Sequence, residues 1–223
     1  MNTALIVIDM QNDYLWPARK PRFAYDTEAL VASVNGIIRR YAGQGCGVVY
    51  IRHIIQNLPT NRLLFDFSLA GTEGAELYGG LVIASENRFD KYFGDALTNA
   101  ALREWLEKHG VERLHLCGLD QYGCVTATAL GAKKRGYEVA ILKGGTATVM
   151  PPKRAAKAQR KLDEAGIEYI LGLEGSTHAQ TLRRRHAHRQ PERPDAADAP
   201  GVGARGPDRR GGYPRDDEAA EPV

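Results

Sequence analysis

Short runs of β-branched and aliphatic residues alternate along this chain with longer segments of helical periodicity that end in glycine. The runs are "TALIVID", "GVVYIRH", "ERLHLCG", "YEVAILK" and "IEYILG". Helical patterns cover 27–45, where Thr27 suits the N-cap, and also 95–110 and 151–166. Apolar strands separated by helices are typical of a parallel sheet covered on both faces. We therefore predict a three-layer α/β/α doubly wound domain with a mainly parallel sheet of about six strands.

The composition changes sharply near residue 175, which divides the 223 residues into two parts. From Ser176 onward there are nine Lys/Arg, eight Asp/Glu and six of the 11 prolines, with few large apolar residues. Such a segment buries too little apolar surface to offset its ordering entropy. We expect 1–175 to form one domain and 176–223 to be a disordered polar tail. The basic cluster 183–189 could touch an acidic surface, but the acids that follow nearly balance it.

Net charge, cysteine spacing and the N-terminal residues limit the partners, metal sites and cell compartment that we expect for this chain. The net charge of +3 comes from 30 basic and 27 acidic residues mixed along the chain, so we expect a small-molecule partner, with no nucleic acid and no membrane. The three cysteines include no CxxC pair and no metal-ligand spacing with histidine. The N-terminal apolar run, Ala4 to Ile8, is too short for a leader or a span. These features favour a cytoplasmic protein without a cofactor.

Three residues stand where a doubly wound sheet places its ligand site, at the carboxyl ends of strands. Asp9 follows the first apolar run, Lys91 lies among aromatic residues before a helix, and Cys124 opens the helix that follows "ERLHLCG". A helix amino end favours a thiolate, and its free amides could hold an oxyanion. Each residue also has a plain structural explanation: a loop acid for Asp9, a surface lysine, and a buried cysteine, which suits Cys46 and Cys117.

The segment between the second and third strands is too long for an ordinary crossover. It runs from Ile54 to Arg88 and contains "LLFDFSLAGTEGAELYGG". Long irregular connections in compact domains are often functional. We expect this segment to be an excursion that packs over the site.

In order and spacing, these positions resemble the isochorismatase-like cysteine hydrolases, a family that includes isochorismatases, nicotinamidases and N-carbamoylsarcosine amidases. The resemblance rests on "VIDMQNDY" with Asp9 and Gln11, on Lys91, and on "CGLDQYGCVTATALGAKKRGYEVAIL" with Cys124. It covers roughly Thr3 to Gly172. It implies an Asp-Lys-Cys catalytic triad of Asp9, Lys91 and Cys124, and a homo-oligomer, either a dimer or a tetramer.

The resemblance also implies a non-proline cis peptide bond between Leu119 and Asp120, which would turn the backbone amides of Asp120 and Cys124 toward one oxyanion. In the implied reaction Asp9 takes the proton of Cys124, the thiolate attacks a planar carbonyl, and Lys91 holds Asp9 and offsets the developing charge. Candidates for substrate contact are Gln11, Trp16, Tyr92 and Tyr122.

Two departures from the family pattern bear on the substrate. Nicotinamidase-type members hold a divalent metal with an Asp-x-His pair, whereas here His53 and Ile55 stand at about those positions, so we expect no metal site. Isochorismatases cleave a vinyl ether and do not need the cysteine, so Cys124 favours an amide, carbamoyl, imide or ureide substrate. Vinyl ether hydrolysis by Asp9 and an inactive binding module are the alternatives.

Asp120 and Gln121 are the second departure, because many relatives have small residues or threonine there. A carboxylate facing the pocket would raise the pKa of Cys124 by repulsion between like charges. We therefore expect the Asp120 side chain to point away from the thiol, or to pair with Lys91, an arginine or an amino group on the substrate.

Overall fold

The computed structural model describes residues 2–172, so the predicted tail lies outside the described residues and the boundary at 175 stays a prediction. Six strands alternate with six α-helices. Their bounds are β1 (Thr3–Ile8), α1 (Asn12–Leu15), α2 (Thr27–Gly43), β2 (Gly47–His53), α3 (Pro59–Leu64), β3 (Arg88–Lys91), α4 (Ala100–Lys108), β4 (Arg113–Gly118), α5 (Thr126–Lys134), β5 (Glu138–Thr146), α6 (Pro152–Glu164) and β6 (Glu168–Ile170). Short 3-10 turns cover Pro21–Phe23, Glu73–Ala75 and Ala96–Thr98, and a π-helical turn covers Gln121–Val125.

All six strands are parallel, in the order β3-β2-β1-β4-β5-β6, which confirms the predicted fold. Alternate residues of β1 enter two separate cores. Leu5 and Val7 pack with the apolar face of α2, whereas Ala4, Ile6 and Ile8 pack with α4, α5 and α6. The strand order reverses between β1 and β4, and this switch point is where the carboxyl ends of an open sheet leave a crevice.

Helix α2 follows the predicted apolar face but begins with a different cap. The Asp26 carboxylate accepts the Ala29 N–H at 3.0 Å, whereas the Thr27 hydroxyl donates to the Leu15 carbonyl. Thr27 therefore joins the helix to the preceding loop, and the residue before it satisfies the free amide.

The long segment after β2 folds back over the carboxyl edge of the sheet. It contains α3 and the 73–75 turn, and it forms two isolated bridges, one between Ile55 and Leu69 and one between Gln11 and Leu77. Asn12 donates a side-chain hydrogen bond to the Glu73 carbonyl. The excursion thus packs beside the residues that follow β1, as predicted. Within residues 2–172 no helix is both long and apolar enough to span a bilayer.

The switch point depends on a glycine at the end of β4. Gly118 has φ +106°, and a Cβ atom there would lie 2.0 Å from the backbone oxygen of Ile8. The same Ile8 oxygen accepts the Leu119 N–H at 2.8 Å. Only a residue without a side chain allows β1 and the loop after β4 to approach this closely.

We expect Gly118→Ala to lower the free energy of unfolding by about 3 kcal/mol or more, because it combines a left-handed φ with a backbone clash. Gly36→Ala is the matched control, since a Cβ at this position of α2 meets no atom within 4 Å. It should raise stability by about 0.5 to 1 kcal/mol. Urea denaturation of both variants measures the difference, and equal midpoints would contradict the close approach.

Candidate active site

Asp9 follows β1 directly and lies in the left-handed region, with φ 53° and 3% of its surface exposed. Its N–H donates to the Ile51 carbonyl at 2.9 Å, and its own carbonyl accepts the Gln11 N–H at 2.9 Å. A left-handed residue other than glycine costs about 1 to 2 kcal/mol. The two backbone hydrogen bonds hold this conformation, which turns the Asp9 carboxylate into the crevice between β1 and its neighbours.

Lys91 is the last residue of β3, and its side chain is completely buried. Its Nζ atom lies 2.9 Å from Asp9 Oδ2 and donates a hydrogen bond to Cys124 Sγ at 3.1 Å. Burial alone lowers the pKa of Lys91, but the negative charge of Asp9 and the neighbouring Cys124 outweigh it, so the pKa lies above its usual value. Lys91 is therefore a buried cation between an acid and a thiol.

Cys124 lies in the π-helical turn 121–125, immediately before α5. Burial raises the pKa of its thiol to about 12; the charge of Asp9 acts in the same direction and that of Lys91 opposes it. Burial and the charge of Asp9 therefore favour the thiol form of Cys124, whereas its position at a helix start favours the thiolate.

The structure thus brings the predicted Asp9, Lys91 and Cys124 side chains into one buried cluster. Asp9 Oδ2 is paired with Lys91, whereas Asp9 Oδ1 is buried and has no hydrogen-bond partner within residues 2–172. An unpaired carboxylate oxygen beside a thiol can accept its proton as the sulfur attacks an electrophile. The arrangement suits a nucleophile that is activated only when substrate is present.

The loop before Cys124 differs from the family expectation in one respect. Residues 2–172 contain no cis peptide bond, so the one expected between Leu119 and Asp120 is absent and that prediction is wrong. Hydrogen bonds hold the loop with trans peptides instead: the Leu119 N–H donates to Ile8, and the Asp120 carbonyl accepts the N–H groups of Gly123 and Val125. Oxyanion binding by the Asp120 and Cys124 amides stays a prediction.

Within the part of the chain that the structure describes, the Asp120 carboxylate accepts four hydrogen bonds, all from neutral donors. Oδ1 accepts the Tyr122 N–H and the Thr148 hydroxyl, at 3.0 and 2.8 Å. Oδ2 accepts the Tyr25 hydroxyl and the Val149 N–H, at 3.0 and 2.9 Å. Of the expected alternatives, pairing with Lys91 or an arginine does not occur among the described residues, because neutral donors of the surrounding loops occupy the carboxylate. An Asp120 side chain that points away from the thiol, or that pairs with an amino group on the substrate, stays a prediction.

Gln121 and Tyr122 anchor the same loop to the far side of the sheet. The Gln121 amide donates to the Tyr169 hydroxyl and accepts the Thr146 hydroxyl. The Tyr122 hydroxyl donates to Gln159 of α6 at 3.3 Å. This contact commits the Tyr122 side chain to α6, so its proposed substrate contact is not supported.

Gln11 makes its hydrogen bonds within the protein, and its contact with substrate stays a prediction. Its side chain is 0% exposed. Its amide oxygen accepts the His53 N–H at 2.8 Å, and its amide nitrogen donates to the carbonyls of His53 and Ala75 at 2.9 and 2.8 Å. Gln11 joins β2 to the excursion, because every hydrogen it can donate is already used by the protein.

Tyr92 and Trp16, the other aromatic residues expected to contact substrate, are partly exposed at the surface. Tyr92 is 61% exposed and lines an open cleft of about 320 Å³ with Phe93 and Thr98 at the carboxyl end of β3. Trp16 is half-buried at the end of α1, where its carbonyl accepts hydrogen bonds from Arg19. Substrate contact by Tyr92 and Trp16 stays a prediction.

Sequence reasoning missed Tyr25 and gave too little weight to Tyr14 and His53. Burial raises the pKa of Tyr14 and of Tyr25, and the charge of Asp9 acts on both hydroxyls in the same direction. The Tyr14 hydroxyl lies 2.8 Å from Ser68 Oγ and 3.4 Å from His53 Nδ1. Burial and the charge of Lys91 lower the pKa of His53, so its ring is neutral. No local pattern marks these residues, since the fold alone brings them beside Asp9.

The residues near His53 do not fit a divalent metal. No group of three or more His, Cys, Asp or Glu side chains within residues 2–172 is arranged to bind a metal ion. Ile55 carries no ligand atom, and His53 Nδ1 faces the Tyr14 hydroxyl.

Comparison with known proteins gives a consistent family. Residues 3–170 match the isochorismatase domain. An uncharacterized isochorismatase family protein, YddQ of Bacillus subtilis, is 28% identical over 149 residues, which cover 66% of this chain and 79% of that protein. A probable inactive nicotinamidase of Arabidopsis thaliana is 28% identical over 168 residues, covering 67% of this chain and 83% of that protein. The zinc complex of a Pyrococcus horikoshii pyrazinamidase superposes with a TM-score of 0.62 at 28% identity, covering 76% of this chain and 99% of that one.

The protonation state of Cys124 predicts how it reacts with iodoacetamide. In the unmodified protein the alkylation rate at Cys124 should rise about tenfold per pH unit from pH 7 to 9, because the thiolate fraction grows in this way below the pKa. Asp9→Asn removes a charge that raises this pKa, so its alkylation at pH 8 should be at least about tenfold faster. Peptide mass spectrometry gives both rates, with Cys46 as internal control. A plateau below pH 9 would contradict a resting thiol.

The buried ion pair predicts that removing one of the two charges destabilises the protein more than removing both. Lys91→Met leaves Asp9 buried without a partner and should cost about 3 to 5 kcal/mol. The double variant Asp9→Asn, Lys91→Met removes both charges and should recover much of that loss. Urea denaturation near pH 7 of the unmodified protein, Asp9→Asn, Lys91→Met and the double variant measures the four free energies of unfolding. Additive losses would show that the two side chains do not interact.

Proposed function

The chain belongs to the isochorismatase family, and from this membership and the geometry of its site we propose that it is a metal-independent cysteine hydrolase. Its proposed substrate is a small molecule with a C–N bond beside a carbonyl, namely an amide, a carbamoyl compound or a ureide. The observation that carries the proposal is the position of Lys91 Nζ, within 2.9 Å of Asp9 Oδ2 and 3.1 Å of Cys124 Sγ.

In the proposed first step Asp9 acts as general base. Its unpaired Oδ1 takes the Cys124 proton while the sulfur attacks the substrate carbonyl carbon. Because the pKa of the thiol is raised, proton removal and attack occur together in this proposal. Lys91 remains cationic throughout and offsets the negative charge that forms beside it.

The second step breaks the C–N bond. The proposed oxyanion donors are the backbone amides of Asp120 and Cys124. Asp9 returns its proton to the departing nitrogen, so the products are an amine or ammonia and a Cys124 thioester. Asp9 then deprotonates a water molecule that attacks the thioester, and the proton passes to the sulfur as the acid product leaves. Each proton is thus accounted for by Asp9 and Cys124.

Vinyl ether hydrolysis by Asp9 is the second candidate. The observation in its favour is the same unpaired Asp9 Oδ1, which could exchange a proton with substrate without help from sulfur. One relative, at 26% identity over 141 residues, is described as a secreted isochorismatase effector of Verticillium dahliae. The two candidates differ in their need for Cys124.

A third possibility is binding without turnover. One relative is a probable inactive nicotinamidase of Arabidopsis thaliana. The contact among Asp9, Lys91 and Cys124 favours activity here. Taking an ion pair out of water costs several kcal/mol, and binding alone would not require these two charges to be buried.

The decisive experiment is a screen of small amides, carbamoyl compounds and ureides, with ammonia release as the readout. We expect turnover of at least one class, and we expect Cys124→Ala to reduce it by at least about 10³-fold. Acid quenching during turnover should trap a covalent adduct on the Cys124 peptide, detectable by mass spectrometry. Cys46→Ala is the matched control, and it should retain full activity because Cys46 lies at the amino end of β2.

The outcomes separate the three candidates. Isochorismate cleavage that survives Cys124→Ala would favour vinyl ether hydrolysis and contradict the cysteine mechanism. Tight binding of a screened compound without product would favour the inactive module. Amide turnover that is unchanged by Cys124→Ala would show that the nucleophile is wrongly assigned.

A further inference from the structure

The Asp120 side chain joins three separate parts of the chain beside the nucleophile. It accepts hydrogen bonds from Tyr25 in the loop before α2, from Thr148 and Val149 after β5, and from Tyr122 in its own loop. Four donors use all the lone-pair positions that a carboxylate normally offers. Asp120 is therefore the point at which three loops meet.

The backbone of Asp120 organises the turn that carries Cys124. The Asp120 carbonyl accepts the N–H groups of Gly123 and Val125, at 3.0 and 3.1 Å, on either side of the nucleophile. A displacement of Asp120 would move this turn and Cys124 with it. The position of the sulfur relative to Lys91 thus depends on how firmly Asp120 is held.

Of the residues that donate to the Asp120 carboxylate, Tyr25 is the farthest away in sequence, and hydrogen bonds hold its own loop in place. It is buried, and its hydroxyl lies 3.0 Å from Asp120 Oδ2. The Arg19 guanidinium donates to the carbonyls of Trp16, Phe23 and Tyr25, at 2.9, 2.7 and 2.7 Å, and so closes the loop that carries Tyr25. A connected series of hydrogen bonds therefore runs from Arg19 through Tyr25 and Asp120 to the Cys124 turn.

A carboxylate at this place opposes the proposed chemistry unless it has another use. Negative charge close to a thiol or an oxyanion destabilises the anionic form. Asparagine would avoid that penalty, but its NH₂ group would face the N–H of Tyr122 or Val149, since each oxygen of Asp120 accepts a backbone amide. Only a carboxylate accepts at all four positions, so geometric support explains the acid better than substrate contact does.

We propose that Tyr25 and Asp120 are positioning residues that fix the Cys124 turn in the geometry for attack. The inference rests on the proposed function and extends it, because it assigns the Asp120 carboxylate to the nucleophile loop and not to the substrate. It also gives the loop 16–25 a role in positioning Cys124. Charge-assisted hydrogen bonds of this kind are stronger and more directional than neutral ones.

The test is Tyr25→Phe, which removes one hydrogen bond and retains the ring. We expect kcat for the substrate found in the amide screen to fall by about 10- to 100-fold, with KM changed by less than about threefold, because a small misplacement of the nucleophile affects the reacting geometry more than binding. We also expect the amides of residues 121–125 to exchange with deuterium at least about tenfold faster, because the turn opens more often.

Tyr137→Phe is the matched control, because it makes the same chemical change on the α5–β5 connection, away from the site. It should leave kcat and exchange at residues 121–125 unchanged. Thr148→Val removes another donor to Asp120 and should resemble Tyr25→Phe in both readouts. If Asp120→Asn folds, the double variant with Tyr25→Phe should lose no more kcat than Asp120→Asn alone, since both act through one contact.

Three results would overturn the proposal. The first is a Tyr25→Phe protein that melts earlier but matches Tyr137→Phe in kcat and exchange, which indicates a purely structural bond. The second is a change of KM or substrate range in Asp120→Asn with kcat preserved, which indicates direct substrate contact. The third is full additivity in the double variant. Should the unmodified protein hydrolyse no screened compound, the proposed function fails, while exchange at residues 121–125 still decides whether Tyr25 holds the turn.

Discussion

The buried ion pair between Lys91 and Asp9 is the interaction on which the site depends. Taking both charges out of water costs several kcal/mol, and their mutual attraction offsets that cost only in close contact. The contact requires a left-handed residue directly after β1 and a lysine at the carboxyl end of β3, which lies beyond β2 in the sheet. Since an apolar pair of similar size would stabilise a core at least as well, the charges are best explained by the chemistry that they support.

The parallel sheet brings these groups together through its connectivity. Strands β1 and β4 are neighbours in the sheet although more than a hundred residues separate them in sequence, and their carboxyl ends open at the switch point. Gly118 allows the closest approach there, and Leu119 then hydrogen-bonds to the end of β1. The loop that leads to Cys124 is therefore hydrogen-bonded to the strand that precedes Asp9. This contact fixes the Asp9 carboxylate and the Cys124 sulfur relative to each other.

The charges around Cys124 favour its thiol form over the thiolate. Burial and the charge of Asp9 raise the pKa of Cys124, and only Lys91 opposes them. A protonated thiol is protected from incidental oxidation or alkylation, because the thiolate is the reactive form. The position of Cys124 directly before α5 favours a thiolate, but burial and the charge of Asp9 act against it.

Apolar periodicity along the chain predicted the layers of the fold, and the motif pattern pointed to Asp9, Lys91 and Cys124, whose side chains the folded chain brings together. Apolar periodicity depends on neighbours along the chain, and a residue that follows a parallel strand must lie at the carboxyl edge. The tertiary structure alone shows that the Gln11 side chain bonds to His53 and Ala75 and that Tyr122 bonds to Gln159 of α6. It alone also shows that the peptides around Asp120 are trans and that the Tyr25 hydroxyl reaches Asp120 from 95 residues away. Those outcomes depend on hydrogen bonds between loops remote in sequence, and no local pattern of residues encodes such a contact.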